Sequence, residues 1–437
     1  MVQFLGVIIQ HLLNRGRVLF LLDGLDEVAV SKRQAEVVEE IERFTNRYDC
    51  GDNRFIVTSR HTSDIYDTLG RARYEKYYLQ GLSSDRKRAM VDSYYQGWAE
   101  NGTKGQGEPA ASLKKQLSAD AGLEELSNNA FLLSQIIYLH HRGESLPTKR
   151  HKLFDKCVEG LVVRKDRPTR EQKEQRMDAL GELALAMRQK QKSFVSRNEA
   201  IEMLTTVYQQ NAGSYALSTT PDALFEQIVT KWAIMRADQN GYTFVHLSLH
   251  QYLVSRAIAR NHDRYWELLS QKLFDLSWQE IVYLYIAIRA EIVSGSIVVD
   301  GVLDALLNRS AMPSDELWIR AGFFMSAIPY QRQGKWHEKV LEHLQMISNS
   351  DDLRGIEALE TLCLIEPNGV KWVIQEHLIN QYNTLRERVL LKIQKIRNPE
   401  AILKLRAEIT KQLSDGVLLM EQEVLEDILR HMKKDWQ

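Results

Sequence analysis

Three acidic residues close an apolar run near the start of this 437-residue chain: "RVLFLLDGLDEV", from Arg17 to Val28, holds Asp23, Asp26 and Glu27. Carboxylates at this spacing suit metal and water chemistry at a phosphate. Asp23 can hold a hydrated Mg²⁺, while Asp26 or Glu27 can orient a water toward a terminal phosphate. Such groups need a rigid mouth to stand on. Val18 to Leu22 are apolar without alternation, which predicts a strand buried on both faces of a parallel sheet. In open α/β sheets ligands lie beyond the carboxyl ends of the strands, where Asp23 falls, and Gly24 lets the chain turn there without a Cβ clash. The competing reading is a strand followed by an acidic turn. D-G-x-D-E directly after an apolar run favours the nucleotide chemistry.

The elements that must position these residues alternate. A helix to about Asn14 precedes the strand ending at Asp23, a helix runs from about Lys32 to Tyr48, and "RFIVTSR" is a second buried strand, which makes the first part α/β. "YYLQGL" is expected to be a third short strand, with Ser83 or Ser84 capping the next helix. Beyond it the chain is mostly α. "ENGTKGQGEPAAS", Glu100 to Ser112, reads as a surface loop, and "FLLSQIIYLHHRG" as a helix closed by Gly143. Between about Thr169 and Asn261 three helices lead into "WAIMRADQNGYTFVH", a β-hairpin turned at Gln239, Asn240 and Gly241, and then one more helix. That order describes a winged-helix unit. From His262 to Gln437 the pattern is helical throughout, and Leu353-Arg354 in "DDLRGIEALETLCLI" recurs as Leu385-Arg386 in "NTLRERVLLKIQKI", as in stacked helical pairs.

Composition bounds the partners. A formal net charge of -1 gives no global basic field for nucleic acid or membrane surface, and 44% hydrophobic with 26% charged residues suits a well-cored protein of about three domains. Cys50, Cys157 and Cys363 show neither disulfide nor zinc spacing, which fits a reducing cytoplasm. No apolar run approaches a bilayer's thickness, and Met1 to Leu13 has no signal-peptide pattern. His246 and His250, four residues apart, could share a metal on one helix face, but no Glu or third ligand stands at a recognisable spacing. Phosphate contact is preferred for His246, packing or solvent for His250. His140 and His141 read as the polar end of a helix, and Arg142, Lys149, Arg150 and Lys152 as a solvated basic face.

With these pieces in order, about Met1 to Asn261 resembles the NACHT family of signal-transducing P-loop ATPases, within the STAND class. "LFLLDGLDE" resembles the family's Walker B, with Asp23 as the Mg²⁺ residue. "RFIVTSR" resembles the sensor strand, whose Arg60 would reach the γ-phosphate. "NNAFLLSQIIYLHHRGESLPTKRHKLFDKCVEGLV" resembles the helical segment in which an Asn-Pro-aliphatic motif approaches adenine, here Asn129 with Ala130 in place of the proline. "YTFVHLSLHQYLVSRAIA" resembles the end of the winged helix, where His246 would contact the β-phosphate and hold the ADP-bound form closed.

The resemblance implies ATP or ADP with Mg²⁺ as cofactors and three segments: NACHT core to 82, helical domain 83–165 and winged helix 166–261; the helix pattern adds a HEAT-like sensor region over 262–437. The resemblance further implies a cytoplasmic switch that self-associates through NACHT domains, answers an unknown trigger, viral in a prokaryotic defence role, at its C-terminal helices, and activates an N-terminal effector. No G-x-x-x-x-G-K-[ST] phosphate loop occurs in the sequence. The chain is therefore expected to be a fragment, from a gene model begun at an internal Met or a split gene, and to bind nucleotide weakly and hydrolyse none at a useful rate. A second reading is a nucleotide-independent helical scaffold. A third, a motor or DNA-binding ATPase, is disfavoured by the few cations in "SLHQYLVSRAIAR".

Overall fold

The computed structural model describes residues 9–25, 31–49, 52–58, 74–75, 77, 79, 81–100, 108–163, 168–210, 220–238, 241–309, 312–328, 334–350, 352–365, 367–379, 396, 399–415, 422, 424–426 and 428–429. It is mostly α with two small sheets. The chain divides into two compact units, one to Tyr78 and one from Leu79.

In the first unit, strands β1 (Leu19–Leu22) and β2 (Arg54–Val57) pair in parallel, Leu22 opposite Val57. Helix α1 (Ser31–Arg47) crosses between them, its apolar residues spaced to cover one sheet face. On that face Phe44 meets Phe20 and Phe55 edge-on at 4.9 and 5.9 Å, and Phe20 stacks on Phe55 at 5.5 Å. Asn53 is buried and ties the unit's ends together. Its Nδ2 donates to Leu13 O and Tyr48 O, and its Oδ1 accepts from the Val18 amide.

The strands are not buried on both faces. Leu19, Leu21 and Ile56 are at least half exposed, because α1 covers only the face that carries Phe20 and Phe55. Nor is "YYLQGL" a strand at its described residues. Leu79 is fully exposed, and the Leu82 amide donates to Asn128 O, a loop partner, instead of a sheet.

The second unit is helical. In chain order it runs α2 (Ser84–Glu100), α3 (Glu108–Ala119), α4 (Ala121–Ser127), α5 (Ala130–His141) and α6 (Arg150–Val162). Ser83 caps α2, its Oγ accepting from Arg86 N. Gly143 ends α5 at φ +72, where its amide donates to His140 O and that of Glu144 to Leu139 O. The expected loop before Ser112 is shorter than read: Glu108 already begins α3, because Ala110, Leu113 and Leu117 fall on one buried face.

The winged-helix elements follow as α7 (Arg170–Gln189), α8 (Arg197–Gln210), α9 (Pro221–Glu226, continued as a π-turn over Gln227–Lys231), strands β3 (Met235–Asp238) and β4 (Gly241–Phe244), and α10 (Leu247–Arg260). Thr169 starts α7 with a capping box closed by Gln172. The hairpin forms as expected, although its turn residues Gln239 and Asn240 lie outside the described residues. Gly241 sits at φ +125, and a Cβ there would lie 2.5 Å from Val195 O, the carbonyl that accepts the Tyr242 amide. Gly241→Ala is expected to destabilise the unit by at least about 1–2 kcal/mol. A denaturant midpoint unchanged from the parent would contradict this.

Helices α11 (His262–Lys272), α12 (Gln279–Arg289), α13 (Gly295–Leu307), α14 (Asp315–Met325), α15 (His337–Ser348), α16 (Leu353–Ile365), α17 (Pro367–Trp372) and α18 (Pro399–Asp415) complete the unit. Neighbours pack pairwise, α14 on α15 and α16, and α16 on α18. The proposed second repeat copy at Leu385-Arg386 lies outside the described residues. One hydrophobic core runs from Val91 to Ile428, so the helices after Leu79 share a continuous interior. Among the described residues no helix is long and apolar enough to cross a membrane.

Candidate functional site

The parallel register places Asp23 and Thr58 side by side, one residue past Leu22 and Val57. Thr58 N donates to Leu22 O and Leu25 N to Thr58 O, each at 2.9 Å, which extends the ladder past the strand ends. The Thr58 hydroxyl donates to Asp23 Oδ1 and accepts from the Gly24 amide at 3.0 Å. Gly24 stands at φ +75, a conformation glycine adopts without strain. The Asp23 carboxylate is exposed and held in place by a hydroxyl. Thr58 was not singled out in the sequence, yet "RFIVTSR" carries it one step beyond the apolar residues, which a parallel alignment with "LFLLDG" would have matched to Asp23.

Among the described residues no group of three or more His, Cys, Asp or Glu side chains could hold a metal ion. Asp23 alone fits Mg²⁺ only as one ligand in a shell completed by phosphate oxygens and waters, the usual way Mg²⁺ is bound. Asp26, Glu27 and Arg60 lie outside the described residues.

In the second unit, Asn129 and His246 each cap a helix. Asn129 Oδ1 accepts from the amides of Phe131 at 2.9 Å and Leu132 at 3.1 Å, opening α5. Ala130 is the first helical residue, the position where proline is favoured because its amide has no helical acceptor. Alanine in that place keeps the helix and adds one N–H donor. His246 has an extended backbone, and its Nδ1 accepts from the Ser248 amide at 3.1 Å, opening α10. Because Nδ1 accepts, the neutral ring carries its proton on Nε2.

The two caps meet through their neighbours. The rings of Phe131 and His246 stack with centroids 3.5 Å apart and planes 3° apart. Two helix N-termini far apart in sequence are thus joined, and each presents the positive end of a helix dipole, where anions are stabilised. Asn129, Ala130 and His246 therefore fall in one locality of the second unit, with Phe131, a residue that the motif resemblance does not mark.

His250 and His140 are engaged within the helical unit. His250 is buried, its Nε2 lies 2.9 Å from Ala184 O, and its ring stacks on Phe244 at 4.9 Å, so it cannot share a metal with His246. Burial pushes its imidazole down to about 4. His140 Nδ1 lies 2.6 Å from the Tyr95 hydroxyl.

The basic run is exposed at Arg142, Lys149 and Lys152 and half-buried at Arg150, and each cation is paired with an acid. Arg142 pairs with Glu144 at 3.1 Å, Arg150 with Glu280 at 3.1 Å, and Lys149 and Lys152 with Glu291 at 2.9 and 3.4 Å. The Lys149 hydrogen bond holds the Glu291 carboxyl down to about 2.

Helix α10, after the hairpin, is buried from Leu249 to Ala259. Helix α9, before it, exposes Asp222 and Glu226, both paired with Arg197, at 2.9 and 2.7 Å.

Residues 150–258, from the start of α6 to near the end of α10, match the family model of the winged helix-turn-helix domain C-terminal to NACHT. The match includes His246 and relates the chain to NACHT-family proteins. No curated protein matches the chain in sequence.

Proposed function

We propose, from the NACHT relationship of its winged-helix segment, that this chain is the switch and sensor portion of a NACHT-type signalling ATPase. The observation that carries the reading is the joining of the Asn129 cap to the His246 cap, which brings two residue sets named for nucleotide contact to one place. In this reading His246 donates from Nε2–H to the β-phosphate of ADP and holds the winged helix closed. The amides at the head of α5 face the same nucleotide, and Ala130 leaves the adenine contact looser than proline would.

Asp23, oriented by Thr58, would hold Mg²⁺, and Asp26 or Glu27 and Arg60 would supply the water-orienting and γ-phosphate roles that the resemblance implies. The C-terminal helices sense the trigger, viral in a defence role, and loss of the closed state frees the chain to self-associate and act on an effector. With no glycine-lysine phosphate loop in its sequence, the chain by itself binds ADP weakly.

Hydrogen exchange in millimolar Mg-ADP tests this directly. The stretches 129–132 and 245–249 should gain protection together, and His246→Ala should remove the gain in both while leaving the fold intact. If neither stretch is protected at any ADP concentration, the nucleotide reading fails and a nucleotide-independent scaffold takes its place.

A further inference from the structure

We infer that Phe131 is the positioning residue for His246: its ring fixes the plane of the imidazole, whose Nε2–H tautomer the Ser248 amide selects. The role of that Nε2–H at a phosphate rests on the proposed nucleotide switch; the clamp itself does not.

An imidazole at an N-cap retains rotation about both side-chain torsions unless something holds it. Here two independent contacts do so. The Ser248 amide engages Nδ1 at 3.1 Å, which selects the nitrogen but still allows the ring to tilt about that bond. The Phe131 ring lies flat on the imidazole at 3.5 Å, which removes the tilt. With both in place, the proton-bearing nitrogen has one direction.

The rings lie face to face in van der Waals contact, so the imidazole cannot tilt without driving an edge into the Phe131 ring. An aliphatic side chain at position 131 would fill space without imposing a plane. Phe131 is fixed in turn by its backbone: its amide is one of the two that Asn129 Oδ1 accepts, so the cap, the stacking ring and the imidazole form one chain of contacts. Separating the helix heads of α5 and α10 would break the stack and release His246 in the same movement, which makes Phe131 part of the closing contact.

The test compares the full chain with Phe131→Leu, which keeps the apolar volume, and Phe131→Tyr, which keeps the ring. The imidazole ¹H and ¹⁵N resonances of His246, assigned by their loss in His246→Ala, report the clamp without nucleotide. In the parent and Phe131→Tyr we expect a single Nε2–H tautomer and upfield ring-current shifts of the carbon-bound ring protons. In Phe131→Leu the upfield shift goes with the ring, and the ¹³C–¹H order parameters of the imidazole should fall while the fold is kept. An imidazole as ordered in Phe131→Leu as in the parent overturns the inference.

Exchange in millimolar Mg-ADP then separates the two readings. Protection of 245–249 that is lost in Phe131→Leu and kept in Phe131→Tyr supports both. Protection lost in His246→Ala but retained in Phe131→Leu overturns the positioning role and leaves the switch reading standing. No protection in the parent overturns the switch reading, while the resonances still decide the clamp.

Discussion

Replacing Arg256 with Met is expected to lower the stability of the helical unit by about 1.5–3 kcal/mol. Arg256 lies on α10 and is 5% exposed, with one guanidinium nitrogen donating to Asp178 and the other to Glu174 at 2.6 Å, both on α7. The side chain therefore joins the two helices that bring the His246 cap and the capping box of α7 into one core. Without it, two charge-assisted hydrogen bonds are lost, and Glu174 and Asp178, left to repel each other, keep the more exposed Arg260 as a partner.

Arg260 supplies the control, since it reaches the same carboxylates at 3.4 and 3.0 Å but is 42% exposed. Its replacement by Met should change stability by no more than about 1 kcal/mol, because solvent screens an exposed pair. Urea midpoints of the two variants decide the point. Equal losses would mean that charge count, and not burial, sets the effect. Replacing Glu174 and Asp178 by apolar residues together with Arg256 should recover most of the loss, since well-packed apolar groups often match a buried ion pair.

Acidification between about pH 6.5 and pH 4 is expected to remove several kcal/mol of stability, through His250 and His151. Both are buried, and burial pushes each imidazole from 6.5 down to about 4. The nearby Arg188 adds to this for His250, and Lys152 and Lys149 for His151, whose Nε2 lies 3.5 Å from Glu291. At pH 7 and above both states are neutral, so these groups carry no penalty. As pH falls below 6.5 the unfolded chain takes up protons that the folded chain refuses, and stability drops until the native groups titrate near 4. Each contributes on the order of 3 kcal/mol at most.

Glu182 acts in the opposite sense, because burial raises its carboxyl and the fold accepts that proton first. Glu291 and Glu199, held down to about 2, lose their contribution only below about pH 4.5, in a separate window. Unfolding midpoints followed from about pH 8 to pH 4 should be flat at first and fall below about 6.5. His250→Gln, which retains a donor for Ala184 O, should lower the slope in that window. A slope unaltered by that substitution would exclude His250 as its source.

Much of this was legible in the chain because it depends on neighbours a few residues away. The apolar runs before Asp23 and in "RFIVTSR" identified the paired strands. The residues Ser83 and Gly143 marked helix ends through bonds spanning one turn. The hairpin and its flanking helices carried the winged-helix assignment, which the family match over 150–258 supports.

Other features were decided by contacts that no local pattern records. "SLHQYLVSRAIAR" looks half polar, yet His250, Ser255 and Arg256 are buried in α10 because Ala184 O, Ile281 O and the α7 carboxylates wait for them across the core. The β1 run looks buried on both faces, yet one helix covers only one of them. Sequence fixes periodicity and caps, which are short-range steric and hydrogen-bond preferences. Which polar side chain is satisfied in the interior, and which ring lies on His246, depends on groups brought together only when distant helices pack.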